Sequence, residues 1–320
     1  MNSPLISVIT PTFNSGAKIA ATVASVLSQK KELYEFFIID GGSTDGTLEH
    51  LRAQGSAVRW LSEPDEGIYD AMNKGIRLTS GEFLYFLGAG DRLHPGVLEA
   101  VAGEITKLPC NGKNARATLL YGSVDWTSYS RPYDGRFNRF KLLRRNICHQ
   151  AIFYQRSVFE RLGFYNTKYR LVADWEFNIR CFNDENIRKR YIPVRIADFE
   201  AGGKSSIMPD LAFLADFRRI IRRYDLTTTY HSPARGRMLA NRARWSYAEW
   251  GVFHAREVLV KAGFAPAWRQ IVLALRLSYN RRVIRMVFSF FVLWLRIMGS
   301  RLKRWMISKF HTSVQSKVCN

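Results

Sequence analysis

Between Phe36 and Thr47 a continuous apolar run, Phe36-Phe37-Ile38-Ile39, stops at a carboxylate, Asp40. Two glycines and a small polar cluster, Ser43-Thr44-Asp45-Gly46-Thr47, follow at once. A strand that ends this way belongs to an open α/β sheet, where ligands bind outside the carboxyl ends of the strands. Asp40 is placed to meet such a ligand, and Gly41 and Gly42 allow close approach to the backbone. Two further acidic motifs stand at expected strand ends, Glu63-Pro64-Asp65 and Gly90-Asp91.

The pattern around this run extends the constraint. Leu5 to Thr10 reads as a strand ended by Pro11, and Lys18 to Gln29 as a helix with Ile19, Val23, Val26 and Leu27 on one face. Strands at Phe36–Asp40, Val58–Leu61 and Glu82–Leu87 alternate with helices at Thr47–Gln54 and Ile68–Leu78, the latter facing inward through Ile68, Met72, Gly75 and Ile76. Alternation at this spacing predicts βαβ units, a mostly parallel sheet and a three-layer, Rossmann-like α/β sandwich. Beyond Asp125 the rhythm changes. A loop rich in Tyr, Arg, Pro and Gly (Ser128–Asn138) leads to a strand at Ala151–Tyr154, two short helices and a charged strand at Arg188–Ile196. This second half, 126–210, is expected to face an acceptor, as 1–125 faces the first ligand.

The charge lies elsewhere. Of the formal net charge of +21, the stretch from Leu226 to Asn320 holds seventeen Lys and Arg against two acids, Glu249 and Glu257. Its longest uncharged run, Met286–Leu295, is well short of the ~20 residues that span a bilayer. Arg281, Arg285, Ser289, Arg296, Ser300, Lys303 and Arg304 form a polar stripe, opposed by Phe288, Phe291, Leu295, Met298, Leu302 and Trp305. The extension 211–320 is thus expected to be a basic amphipathic helical tail suited to an anionic membrane surface, its alternative a helix packed on the domain. Cys110, Cys148, Cys181 and Cys319 show no metal-ligand spacing and fit reduced thiols in a cytosolic compartment. The opening Met1-Asn2-Ser3-Pro4 does not read as a signal peptide.

Five elements read together resemble one family: Pro11-Thr12-Phe13-Asn14, Asp40 to Asp45, Glu63 to Gly75, Gly88-Ala89-Gly90-Asp91, and Ala173-Asp174-Trp175-Glu176. Over residues ~5–206 the chain resembles the family 2 inverting glycosyltransferases of GT-A fold, nearest to bacterial colanic-acid, capsule and O-antigen enzymes. The resemblance implies transfer of a sugar from a nucleotide-diphosphate donor to a saccharide or polyprenyl-linked acceptor in cell-surface polysaccharide biosynthesis. It also implies a Mg²⁺ or Mn²⁺ cofactor and work on the cytoplasmic face of the inner membrane.

Pro11, Thr12, Asn14, Asp40 and Gly41 are expected to line the nucleotide, with Asp65 completing the donor pocket. The competing role of Asp40 is a turn cap. Asp91 is the expected metal ligand, since a hard divalent cation takes one or two carboxylates plus substrate phosphates. The family has two acids there, and this chain has Gly90 in the first place. Asp70 is expected near sugar or ribose, and Asn73 and Lys74 near the phosphates, unless these form a solvated helix face; Glu66 is assigned to solvent. Asp174 is the candidate base, because inversion by single displacement needs one carboxylate at the acceptor hydroxyl; its alternative is a helix N-cap. His149 and Gln150 are placed on the acceptor side, with a satisfied core histidine as the other reading. The Gly202–Ser206 loop, through Gly203 and Lys204, is expected to close over the diphosphate, or to be a simple turn.

Two other classes are weighed. A nucleotidyltransferase on a related fold would carry a Gly-rich basic activation loop, of which Asn14-Ser15-Gly16-Ala17-Lys18 is a poor version. A non-enzymatic nucleic-acid binder would use clustered Lys and Arg, but the interleaved apolar face of the tail favours lipid over nucleic acid as partner.

Overall fold

The structure, a computed structural model, describes residues 4–109, 116–126, 131–133, 135–199, 210–223, 264–277 and 283–299, together with Ala248, Val252, Ala255 and Leu259. The chain divides into two compact units, Met1–Ser206 and Ile207–Asn320. In the first, strands β1 (Ile6–Thr12), β2 (Tyr34–Asp40), β3 (Arg59–Ser62) and β4 (Phe83–Phe86) alternate with helices α1 (Lys18–Leu27), α2 (Thr47–Arg52) and α3 (Ile68–Leu78). A short β5 (Arg92–Leu93) and α4 (Val97–Ile105) lead into the second half: β6 (Ala117–Trp126), β7 (Arg131–Tyr133), α5 (Arg139–Arg144), β8 (Ile152–Gln155), α6 (Arg156–Leu162), α7 (Ala173–Asn183) and β9 (Ile187–Phe199).

The strands form one sheet in the order β3-β2-β1-β4-β8-β6-β9-β5, with β7 paired to β6. The first four pair in parallel. Beyond them the sheet is mixed, because β8 runs antiparallel to both β4 and β6 while β6 and β9 run parallel. Every residue of β1 is buried, as expected of a central strand with helices over both faces. Part of the expected loop at Ser128–Asn138 is instead a hairpin arm, β7, paired with β6 through Val124 and Tyr133.

Register fixes what the strand ends present. Thr12 lies beside Asp40, and Asp40 beside Ser62, so the loops after β1, β2 and β3 emerge together. Two helix faces differ from the apolar pattern. In α1 the inward residues are Ile19, Thr22, Val23 and Val26, whereas Leu27 is exposed. In α3, Tyr69 and Asn73 are buried and Ile68 is exposed. The polar positions are used: Thr22 Oγ1 donates to the Asp91 carbonyl (2.8 Å), Ser25 Oγ receives the Leu93 N–H (3.1 Å), and Gln29 Nε2 donates to the His94 carbonyl (2.9 Å). Residues 91–94 therefore run down α1, about 10 Å from Thr22 to Gln29 at 1.5 Å per residue.

In the second unit, α8 (Leu211–Arg223) begins at Asp210, whose Oδ1 accepts the N–H groups of Ala212 and Phe213. Helices α9 (Phe264–Leu277) and α10 (283–299) share a core of Ala255, Leu259, Ala267, Ile271 and Phe290. No helix among the described residues is long and apolar enough to cross a membrane.

Candidate active site

The loops after β1, β2 and β3 are stitched into one wall, and Asp40 is the knot. Its carboxylate is fully buried and receives the N–H of Gly42 (3.0 Å) and of Ser43 (2.9 Å), with the hydroxyls of Ser43 (2.5 Å) and Ser62 (2.7 Å). Ser43 Oγ in turn receives the Asn14 N–H, and Asn14 Oδ1 receives the Thr44 N–H. Thr12 accepts the Gly41 N–H through its carbonyl, and Pro11 is buried beneath it. Asp40 thus caps the turn after β2, with three donors on Oδ2 and one on Oδ1. Asp65 folds its half-exposed carboxylate over Gly41, where a Cβ would stand 2.6 Å from Oδ2. Phe13, 57% exposed, stands at the lip.

Asn73 is corrected. Asn73 is buried and bonds both backbone groups of Tyr165, at 3.0 Å each, so it cannot reach a phosphate. Lys74 is held by Glu63 (2.8 Å) and the Pro64 carbonyl (2.9 Å). Asp70 accepts the Glu66 N–H, closing the first turn of α3. Gly203 and Lys204 lie outside the described residues.

Two carboxylates lie deeper, and one short segment touches both. Asn146 Nδ2 donates to Asp174 Oδ2 (2.7 Å), and Gln150 Nε2 donates to Asp91 Oδ2 (2.5 Å). Between them Cys148 donates to Gln150 Oε1, orienting that amide. His149 Nδ1 stands 4.0 Å from Asp174 Oδ2. Burial pushes the His149 imidazole down to about 4, so at neutral pH the pair is not ionic; its Nε2 is buried without a partner. The 146–150 segment thus contacts both acids.

Asp174 is the second residue of α7, and Val172 occupies the cap position, so the N-cap alternative falls. Its Oδ1 receives the Tyr69 hydroxyl at 2.6 Å. Burial raises the carboxyl to about 6, and the hydrogen bonds from Tyr69 and Asn146 hold it from rising further. A buried acid in that range is ionised at neutral pH yet basic enough to accept a proton.

Asp91 is mostly buried, and with Gly90 beside it offers a single carboxylate. That fits a cation which draws most ligands from a diphosphate and water, and does not fit one caged by protein alone. Among the described residues, the His, Asp or Glu group close enough to form a three-ligand cluster is His94, Asp125 and Asp198. It lies down α1 from Asp91, and its acids pair with Arg195 (3.4 Å) and Arg92 (3.6 Å), an internally neutralised network. Tyr69, Asn146 and Cys148 escaped sequence reasoning. The available signal was Tyr69, a buried phenol whose hydroxyl needs a partner.

The glycosyl transferase family 2 model matches residues 7–163. A PGL/p-HBAD biosynthesis glycosyltransferase of Mycobacterium tuberculosis is 41% identical over 221 residues, 67% of this chain and 84% of that protein. The chain belongs to glycosyl transferase family 2. This transferase is also 28% identical to the Escherichia coli chondroitin synthase over 183 residues, 55% of its own length and 26% of the synthase. Among solved structures, S. aureus TarS 1–349 with UDP-GlcNAc aligns at TM-score 0.61 and 16% identity, covering 84% of the transferase and 79% of that chain. The mannosyltransferase PcManGT of Pyrobaculum calidifontis, in complex with GDP-Man and Mn²⁺, aligns at 0.51 and 16%, covering 94% and 88%. These likenesses establish the GT-A fold. The nucleotidyltransferase and non-enzymatic readings end with the family.

Proposed function

We propose that the protein transfers a sugar, with inversion, from a nucleotide-diphosphate sugar to a saccharide or lipid-linked saccharide acceptor in cell-surface polysaccharide biosynthesis. The observation that supports the reading is the 146–150 segment, which touches Asp174 through Asn146 and Asp91 through Gln150. The nucleotide lies on the wall built by Pro11, Thr12, Asn14, Gly41 and Asp65, with Asp40 holding that wall in shape. Asp91 would hold Mg²⁺ or Mn²⁺, which when bound neutralises charge on the diphosphate. The acceptor oxygen bonds to the anomeric carbon as the carbon–phosphate oxygen bond breaks, the electron pair leaving with the nucleoside diphosphate. The acceptor's proton passes to Asp174, with His149 and Gln150 lining that side.

The bound UDP-GlcNAc and GDP-Man of the structural neighbours support a nucleotide-sugar donor. The names of the sequence relatives, for PGL/p-HBAD and chondroitin, support a glycoconjugate acceptor. The tail docks on the anionic cytoplasmic face of the inner membrane, a reading supported by the exposed Phe288 and Leu295 on α10 beside Arg285 and Arg296. The test is a screen of UDP-, GDP- and dTDP-sugars with and without Mn²⁺, following nucleoside diphosphate release. Metal-stimulated release that Asp174→Asn abolishes, with donor binding retained, is the expected result. Full turnover in that variant removes Asp174 as the base.

A further inference from the structure

Tyr69 is a residue of the donor half that reaches the base. Its ring is buried and tilted against Tyr165, centroids 5.4 Å apart, which leaves the hydroxyl little choice of position. Two oxygens lie within reach of that hydroxyl: Asp174 Oδ1 at 2.6 Å and the Leu171 carbonyl at 3.1 Å. A phenol has one proton to give. While Asp174 is ionised, the proton belongs on the charged and closer oxygen, where the bond is charge-assisted and about twice as strong. Once Asp174 carries a proton of its own it accepts more weakly, and the Leu171 carbonyl becomes a competitive partner.

The other oxygen of Asp174 is held differently. Tyr154 donates to Asn178 Oδ1 (2.7 Å), Asn178 Nδ2 to Asn146 Oδ1 (2.9 Å), and Asn146 Nδ2 to Asp174 Oδ2 (2.7 Å). Each amide is oriented by the one behind it, so Asn146 presents only a donor and fixes the plane of the carboxylate. Asn146 is therefore a static support, whereas the Tyr69 contact can change with the charge of Asp174.

We propose that Tyr69 is a positioning residue for Asp174, its single phenolic proton turning from the carboxylate to the Leu171 carbonyl as the base takes up the acceptor's proton. The inference rests on Asp174 being that base. The hydroxyl rotates about its C–O bond and no covalent bond to carbon changes. The carboxylate keeps its place before and after proton uptake, and the neutral acid is not left facing an idle donor.

The groups facing Asp174 allow a clean measurement. Tyr69, Tyr154, Tyr165 and Cys148 are all held neutral well above the range where Asp174 titrates, and burial keeps His149 neutral down to about pH 4. Asp91, the other carboxyl that the 146–150 segment touches, is separated from Asp174 by residue-specific assignment. The experiment is a pH titration of the full chain carrying ¹³Cγ-labelled aspartate, with the Asp174 signal assigned by its absence in Asp174→Asn. The wild-type midpoint should fall at about 6. In Tyr69→Phe, which keeps the ring, it should move up by roughly half a unit to one unit, because a donor to the ionised form is gone. The acid limb of kcat should follow it, with KM for the donor found in the screen within about twofold.

An unmoved midpoint in a Tyr69→Phe protein with wild-type melting overturns the inference. Should Tyr69→Phe fail to fold, 3-fluorotyrosine at position 69 keeps the ring and makes the hydroxyl a stronger donor; a midpoint lowered below that of wild type then supports the inference, and an unmoved one overturns it. Failure of the parent reading is separate: Asp174→Asn would then retain turnover, whatever Tyr69→Phe does to the midpoint.

Discussion

Asp174 is the residue where burial and chemistry meet. An ordinary aspartate ionises near 3.8 and this one at about 6. A raised native value means that Asp174 favours the folded state fully below about pH 4, and that this contribution is lost as pH rises through 6. Asp174→Asn removes the titration. The stability difference between variant and wild type should therefore shift in the variant's favour between pH 4 and 7, by up to about 3 kcal/mol. Thermal melts of both proteins at a series of pH values would show this, and parallel curves would contradict it. Asp91 is the second such residue. Asp91→Asn keeps the Gln150 contact possible but deletes the charge, so donor affinity should fall at least about tenfold, or 1.4 kcal/mol, with Mn²⁺ stimulation lost. Titration calorimetry with the donor, with and without metal, measures both.

At the scale of elements, α3 and α1 show what was legible and what was not. The parallel half of the sheet was readable, because four apolar runs alternate with helical spacing and each run ends in turn chemistry. The acids at 40, 65 and 91 stood out as strand-end residues, and Asp174 through the family resemblance. What could not be read was the partner of each, since Tyr69 meets Asp174 across 105 positions and Gln150 meets Asp91 across 59. Apolar periodicity also misjudged the polar stripe of buried Thr22 and Gln29 with half-buried Ser25, which binds residues 91–94. Gly75 gives an element-scale test. A Cβ there would collide with the buried side chain of Ile9 in β1. Alanine gains about 1 kcal/mol of helix propensity, while overpacking costs about 1–3 kcal/mol, so Gly75→Ala should lower the urea midpoint. Adding Ile9→Ala, which removes the γ-methyl that a Cβ at 75 would meet, should cost less in the Gly75→Ala background than in wild type; simple additivity of the two changes would refute the contact.

The whole molecule joins a transferase unit to a basic helical extension. On α10, Ile284, Phe288, Leu295 and Met298 are exposed within an arc of about 80°, at 3.6 residues per turn. Arg285 and Arg296 adjoin that arc, and Val283 and Phe290 occupy the buried side. The helix is thus three-sided rather than the two-sided stripe its sequence suggests. Phe288→Asp with Leu295→Asp should abolish co-sedimentation with phosphatidylglycerol vesicles while nucleoside diphosphate release in detergent persists. Arg285→Glu with Arg296→Glu should remove only the salt-sensitive share, about 1 kcal/mol per charge. Equal sedimentation of the apolar pair and wild type would sink the membrane reading. The Tyr69–Asp174 contact carries a last consequence, in time. During synthesis Tyr69 is made 105 residues before the carboxylate it holds. The wall of strand-end loops can leave the ribosome first, but the machinery for moving a proton is complete only when both halves have closed.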